Sequence, residues 1–116
     1  MPVNPLGVSG EALAEDHLRG LGYQIIEKDV RTPLGQLDLV AMDGKTLVFV
    51  EVRLRRSQAF GGAAESITAT KRRRLRLAAQ HYLLGIAREP PCRFDAILLD
   101  GLGAGNIEWL RGIDID

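Results

Sequence analysis

Cysteine is nearly absent from this 116-residue chain: Cys92 stands alone, so it can form neither an internal disulfide nor a cysteine-built metal cluster. No apolar run is long enough to span a bilayer, and no basic-then-apolar segment opens the chain. The expectation is a cytoplasmic protein with no membrane partner. Aromatic residues are scarce, with three Phe, two Tyr and one Trp, which argues against holding single strands by base stacking. The two histidines, His17 and His81, fall on separate predicted helices without metal-ligand spacing and read as structural or exposed. Net charge is missing too, since fifteen Lys and Arg balance fifteen Asp and Glu.

What is present is unevenly placed. Apolar residues make up 46% of the chain, enough for one modest core, so residues 1–116 read as a single domain. Across residues 53–76, eight basic side chains face one acid, Glu65. They are Arg53, Arg55, Arg56, Lys71, Arg72, Arg73, Arg74 and Arg76. A neutral chain with one concentrated basic zone suggests an anionic partner contacted from one side, with a solvated arginine-rich helix face as the plainer reading.

The pattern predicts the order αβββαββ, a mixed α/β sheet with helices packed on it. Ser9 is a candidate N-cap for a first helix ending near Leu21, with Gly22 as its stop. Ala14, Leu18 and Leu21 form its inward stripe, Glu11 borders that stripe, and Glu15, Asp16 and Arg19 point further away. Strands are expected over 23–30, 36–42 and 45–54, with a break at Thr32-Pro33-Leu34-Gly35 and a loop over 57–62. A second helix starts between Thr68 and Thr70 and runs to about Ala87, before Pro90-Pro91. A strand over 92–100, a glycine-rich turn over 101–105 and a short strand over 107–110 complete the chain. Asp95 fits an ion pair with Arg93, a strand-edge position or a role supporting a site, and Trp109 a packing or self-association role.

Two carboxylates and a cation stand out in otherwise apolar strands: Asp38, Glu51 and Arg53. Asp43-Gly44 is a two-residue hairpin signal, which would pair Met42 with Lys45, Asp38 with Phe49 and Gln36 with Glu51. Alternation then puts Gln36, Asp38, Glu51 and Arg53 on one face, with Val40, Met42, Leu47 and Phe49 toward the turn. Leu37, Leu39, Ala41, Val48, Val50, Val52 and Leu54 make an apolar opposite face. Asp38 and Glu51 become diagonal neighbours, about 5–8 Å apart at the backbone. Such a pair calls for a proton, a cationic side chain or a hard divalent ion, magnesium or manganese. Spacing alone leaves a metal site and an ion-pair cluster around Arg53 as equal readings.

On the second helix, Lys71, Leu75, Ala79, Tyr82 and Ile86 share one face, so Lys71 is inward-facing at a helix N-terminus, where a cation is disfavoured. A neighbouring carboxylate or phosphate would account for it, as would snorkelling to solvent.

Taken together, Asp38 and Glu51-Val52-Arg53 at the end of a hairpin resemble the PD-(D/E)XK nuclease superfamily, which includes restriction endonucleases and archaeal Holliday-junction resolvases. The chain more narrowly resembles the YraN-like family of small bacterial proteins, described as endonucleases of unestablished function. The likeness runs from Gly10-Glu11 and Gly22-Tyr23 through 35–39 and 49–55 to Lys71 and Arg93-Phe94-Asp95. It implies a restriction-endonuclease-like core, with Asp38 and Glu51 holding one or two magnesium ions. Glu11 matches the glutamate that completes such sites from the first helix, and Arg53 stands where the motif lysine positions the attacking water. The implied function is metal-dependent hydrolysis of DNA phosphodiesters, extending to branched DNA.

Two departures bear on activity. The family's usual Gly-Glu-Ile-Asp-Leu reads Gly35-Gln36-Leu37-Asp38-Leu39, keeping an oxygen ligand at Gln36 but losing a charge. Its usual Val-Glu-Val-Lys reads Val50-Glu51-Val52-Arg53, and a guanidinium cannot act as a general base. Lys71 is a candidate substitute for the missing lysine. The site expected is therefore Glu11, Gln36, Asp38 and Glu51 for the metal and Arg53 and Lys71 for the scissile phosphate. Arg55, Arg56, Arg72, Arg73, Arg74 and Arg76 are expected on flanking phosphates. The alternatives are a non-catalytic nucleic-acid-binding module on the same fold and a protein-interaction domain with an acidic partner. Cutting both strands would favour a homodimer, though no dimer surface is identifiable in the sequence.

Overall fold

The computed structural model describes residues 10–55, 67–100 and 107–113. Helix α1 (Gly10–Gly20) is followed by strands β1 (Gln24–Thr32), β2 (Gly35–Asp43) and β3 (Thr46–Arg55). Helix α2 (Ala69–Leu83) then leads to β4 (Cys92–Asp100) and β5 (Ile107–Leu110). This is the αβββαββ order anticipated from the sequence. Ser9 and the loops over 57–62 and 101–105 lie outside the described residues.

The strands form one five-stranded sheet in the order β1-β2-β3-β4-β5. β3 and β4 run parallel, and their parallel pairing requires the crossover that α2 supplies; the other neighbours are antiparallel. The two helices cover opposite faces. On one, Ala14 and Leu18 of α1 pack with Leu39, Ala41, Val48, Val50, Ile97 and Leu99. On the other, Leu75, Ala78 and Ala79 of α2 pack with Val40, Leu47 and Phe49. β3 is thus apolar on both sides, as its near-continuous hydrophobic run implies.

α1 ends in a Schellman motif. Tyr23 N–H donates to Leu18 O at 3.0 Å, Gly22 N–H donates to Arg19 O at 3.0 Å, and Gly22 sits at φ +92. The chain turns away before Leu21 reaches the core, so Leu21 is 51% exposed, contrary to its expected place in the inward stripe. Glu15, expected to point outward, is only 7% exposed. It bonds Arg19 on its own helix and Lys28 on β1, tying α1 to the sheet.

The hairpin register differs from expectation. Asp43 pairs with Thr46 and Met42 with Leu47, so the turn residues are Gly44 and Lys45. Gly44 takes φ +60 in the first central position, where a type II′ turn needs glycine, whereas the Asp-Gly reading had put it second. The two-residue shift preserves which face each side chain takes, but it brings Asp38 opposite Glu51 rather than Phe49.

α2 stops at Leu83, short of Ala87. Its last turn tightens through i→i−3 bonds from Leu84, Gly85 and Ile86. Thr68 caps its start, accepting from Lys71 N–H at 3.2 Å.

Candidate metal centre

The site arises where β2 leaves β3. Their pairing runs from Asp43↔Thr46 to Leu39↔Val50 and ends there, while β1 stays paired with β2 as far as Thr32↔Gly35. At the parting, the Asp38 carboxylate replaces a backbone partner: Val52 N–H donates to Asp38 Oδ2 at 2.9 Å. Beyond it β2 bends toward α2. Leu37 consequently packs with Leu75 and Ala78 instead of continuing the face of Leu39 and Ala41, which corrects the expected unbroken stripe.

Gly35 permits this approach. A Cβ there would lie 2.9 Å from Arg74 O, a backbone atom that cannot step aside. With α2 seated this close, Lys71 in its first turn reaches Glu51 of β3. Lys71 Nζ then donates to Glu51 Oε2 at 3.0 Å. Glu51 is 7% exposed, so the inward lysine inferred from helix phase has its carboxylate. Between α2 and the parted strands lies a cleft of about 360 Å³. Gln36, Asp38, Glu51, Lys71 and Arg74 give it polar walls, and Gly35, Val52 and Leu75 complete the lining.

A row of carboxylates crosses the sheet. The pairs Lys28↔Leu39 and Val30↔Leu37 bracket Asp29 and Asp38, setting those two opposite each other across β1 and β2. The next residues after the Leu39↔Val50 pair are Asp38 and Glu51. Asp29 and Asp38 thus stand side by side on β1 and β2, Glu51 of β3 lies near Asp38, and α1 adds Glu11. Oxygens of Glu11, Asp29 and Asp38 lie within 4.8 Å of one another.

This crowding shows in protonation. Burial first, then the charge of Glu51, pushes Asp38 up to about 7, against the opposing pull of the Val52 N–H. Burial, then Asp29, raises Glu11 above its ordinary value. A group of acids that resists losing its last proton is one that a divalent cation would relieve. The donors are all oxygen, as magnesium and manganese prefer, and the Lys71 ammonium sits on Glu51.

The structure thus brings together Glu11, Asp38, Glu51 and Lys71, with Gln36 on the rim, exposed, donating from Nε2 to Asp29 Oδ1 at 3.2 Å. Arg53 is partly buried on β3 but does not line the cleft, so the ion-pair partner of Glu51 is Lys71 rather than Arg53. Of the expected phosphate contacts, Arg74 lines the cleft, Arg73 is exposed, and Arg72 and Arg76 are partly buried. Arg56 and the side chain of Arg55 lie outside the described residues.

Asp29 was not singled out from the sequence. It adopts φ +52, alone among the described non-glycine residues in having positive φ, just beyond an irregularity between Ile25 and Glu27. An aspartate in mid-strand was the available signal, since Asp is depleted in strands and enriched at positive φ.

Asp95 belongs to a different structure. Fully buried on β4, it accepts from Arg93 Nε at 2.9 Å and Nη2 at 3.1 Å, Trp109 Nε1 at 3.1 Å and Gly112 N–H at 2.9 Å. Arg93 also reaches Asp43 and Tyr23. The ion pair anticipated with Arg93 is there, within a network that fastens β5 and the chain after it to the sheet.

Fold and cleft define an α/β protein with helices on both faces of a mixed sheet and an acidic centre where two strands part. The profile of the uncharacterised protein family UPF0102 matches residues 10–99, and the chain belongs to that family, the YraN-like family to which the motifs pointed. A UPF0102 protein of Nitrosospira multiformis is 47% identical over 105 residues, covering 90% of this chain and 88% of its own length. One from Dechloromonas aromatica is 50% identical over 105 residues, with 90% and 84% covered. One from Dichelobacter nodosus is 47% identical over 115 residues, with 97% and 91% covered. No helix among the described residues is long and apolar enough to cross a membrane.

Proposed function

We propose that this protein is a metal-dependent endonuclease of the cytoplasm that hydrolyses phosphodiester bonds in DNA, branched DNA included. The observation that carries the reading is the convergence of Asp38 and Glu51 with Lys71 and Arg74 in the cleft where β2 parts from β3, with Glu11 beside Asp38. Magnesium or manganese would be held by Asp38 and Glu51 with Glu11 and Gln36. When bound, it supplies positive charge to the reacting phosphate and a nucleophile at neutral pH.

The chain's own residues do the rest. Asp38 must lose its proton before it can bind a cation, so its raised pKa sets a lower pH bound on loading. With a cation held at Glu51, the Lys71 ammonium would be available to donate to the scissile phosphate. It would take the part expected of Arg53, which is not among the residues lining the cleft. Arg74 at the cleft and the exposed Arg73 beside it fit the flanking phosphates.

A second reading is favoured by the Lys71–Glu51 ion pair itself: a DNA-binding module whose centre is closed by that pair and does not cut. Plasmid and four-way-junction substrates with magnesium or manganese separate the two. Cleavage by the parent, lost in Asp38→Ala and Glu51→Ala, supports the nuclease. DNA binding without cleavage at any metal concentration supports the module, and cleavage unchanged in both variants assigns the activity to a contaminant.

A further inference from the structure

The sequence leaves a gap in the acidic centre. Gln36 stands where a carboxylate is usual in chains of this pattern, and an amide offers a cation both a usable oxygen and a repelling NH₂. Which end faces inward decides whether Gln36 is a ligand. The structure commits the nitrogen: Nε2 donates to Asp29 Oδ1 at 3.2 Å, leaving Oε1 as the atom free to meet a cation. Gln36 also lines the cleft. Asp29 is held for this contact by its register opposite Asp38 and by its positive φ, which turns the residue out of the regular alternation of β1.

We infer that Asp29 is a positioning residue of the metal centre: it orients the Gln36 amide as an oxygen ligand and returns to the cluster the charge that an amide at position 36 withholds. This rests on the metal-binding reading above and adds to it a specific division of labour. Position 36 supplies a neutral ligand oxygen and position 29 the negative charge. The carboxylate–amide pair is the counterpart of the carboxylate–histidine pairs that fix a ligand's orientation in other metal sites.

The arrangement can be tested by moving the charge. Asp29→Asn keeps size and tolerance of positive φ, so it should fold as the parent does, whereas an alanine would add backbone strain. It removes both the charge and the carboxylate that fixes the amide. The double variant Asp29→Asn/Gln36→Glu restores one of each: the amide introduced at 29 donates to the carboxylate introduced at 36. Manganese is titrated into the full chain and followed by the electron paramagnetic resonance of the free ion and by calorimetry. Melts of the metal-free proteins run alongside.

Expected is a loss of about tenfold or more in manganese affinity for Asp29→Asn, with a metal-free melting temperature close to the parent's. The double variant should recover most of the lost affinity. Unchanged affinity in Asp29→Asn overturns the inference, as does a double variant no tighter than the single one. Asp38→Asn separates this failure from that of the metal reading. If Asp38→Asn abolishes binding while Asp29→Asn does not weaken it, only the role of Asp29 falls. If the parent itself binds no manganese at millimolar concentration, both fall.

Discussion

Asp38 links protonation to stability and, on the proposed reading, to metal binding. Its folded pKa of about 7 lies above the ordinary carboxylate value of 3.8. The folded state therefore holds a proton that the unfolded chain has released across that window, and stability falls with rising pH there. The stabilisation is complete below the unfolded value and is lost as pH climbs through about 7. From this group alone, the metal-free protein should melt lower at pH 8 than at pH 5. Manganese should reverse that trend and, at pH 6, expel more protons than at pH 8, readable by calorimetry in buffers of different ionisation enthalpy. Lys71 gives a companion test. Lys71→Met strands the buried Glu51 carboxylate and should cost about 1–3 kcal/mol by urea unfolding. A divalent cation should raise the melting temperature of this variant more than that of the parent. Asp38, Glu51 and Lys71 were legible as candidates because strand alternation and helix phase fix faces without any coordinates, and Glu11 through the family resemblance. Asp29 was not, because its positive φ and its place opposite Asp38 follow from how β1 pairs with β2.

At the scale of elements, strand and helix identities could be read from periodicity, while junctions could not. The hairpin shifted by two residues because Asp43-Gly44-Lys45 accommodates glycine in either central turn position, and only the pairing chooses. Parity survived the shift, so residues 39–42 and 47–50 keep their expected faces although their partners differ. Leu37 left its expected face because β2 bends once it parts from β3, a tertiary event with no local signal. Gly35 lies at that bend. Gly35→Ala should push α2 off the sheet through the 2.9 Å contact with Arg74 O and cost about 1–3 kcal/mol in urea unfolding. It should also loosen the Lys71–Glu51 contact and weaken manganese binding. Asp95→Ala would orphan Trp109 Nε1 and Gly112 N–H and leave Arg93 only Asp43 and Tyr23 as partners. A loss of about 3–5 kcal/mol is expected from equilibrium unfolding.

Over the whole molecule, a neutral chain carries its charge in separated parts. Acids gather where three strands and α1 meet, and bases gather on α2, with Arg74 and Lys71 where the two zones touch. Phosphate binding by such arginines should make DNA affinity fall steeply with salt. Arg73→Ala/Arg74→Ala should lower the log–log slope by about one for each phosphate left unneutralised. Affinity indifferent to salt would remove the arginines from that role. A crystal of the protein soaked in manganese tests the proposed metal centre most directly. The expected result is an anomalous peak coordinated by Asp38 and Glu51, with the Lys71 ammonium displaced from Glu51. A saturating soak with no peak at Asp38, and Lys71 still bonded to Glu51, would contradict a metal centre there.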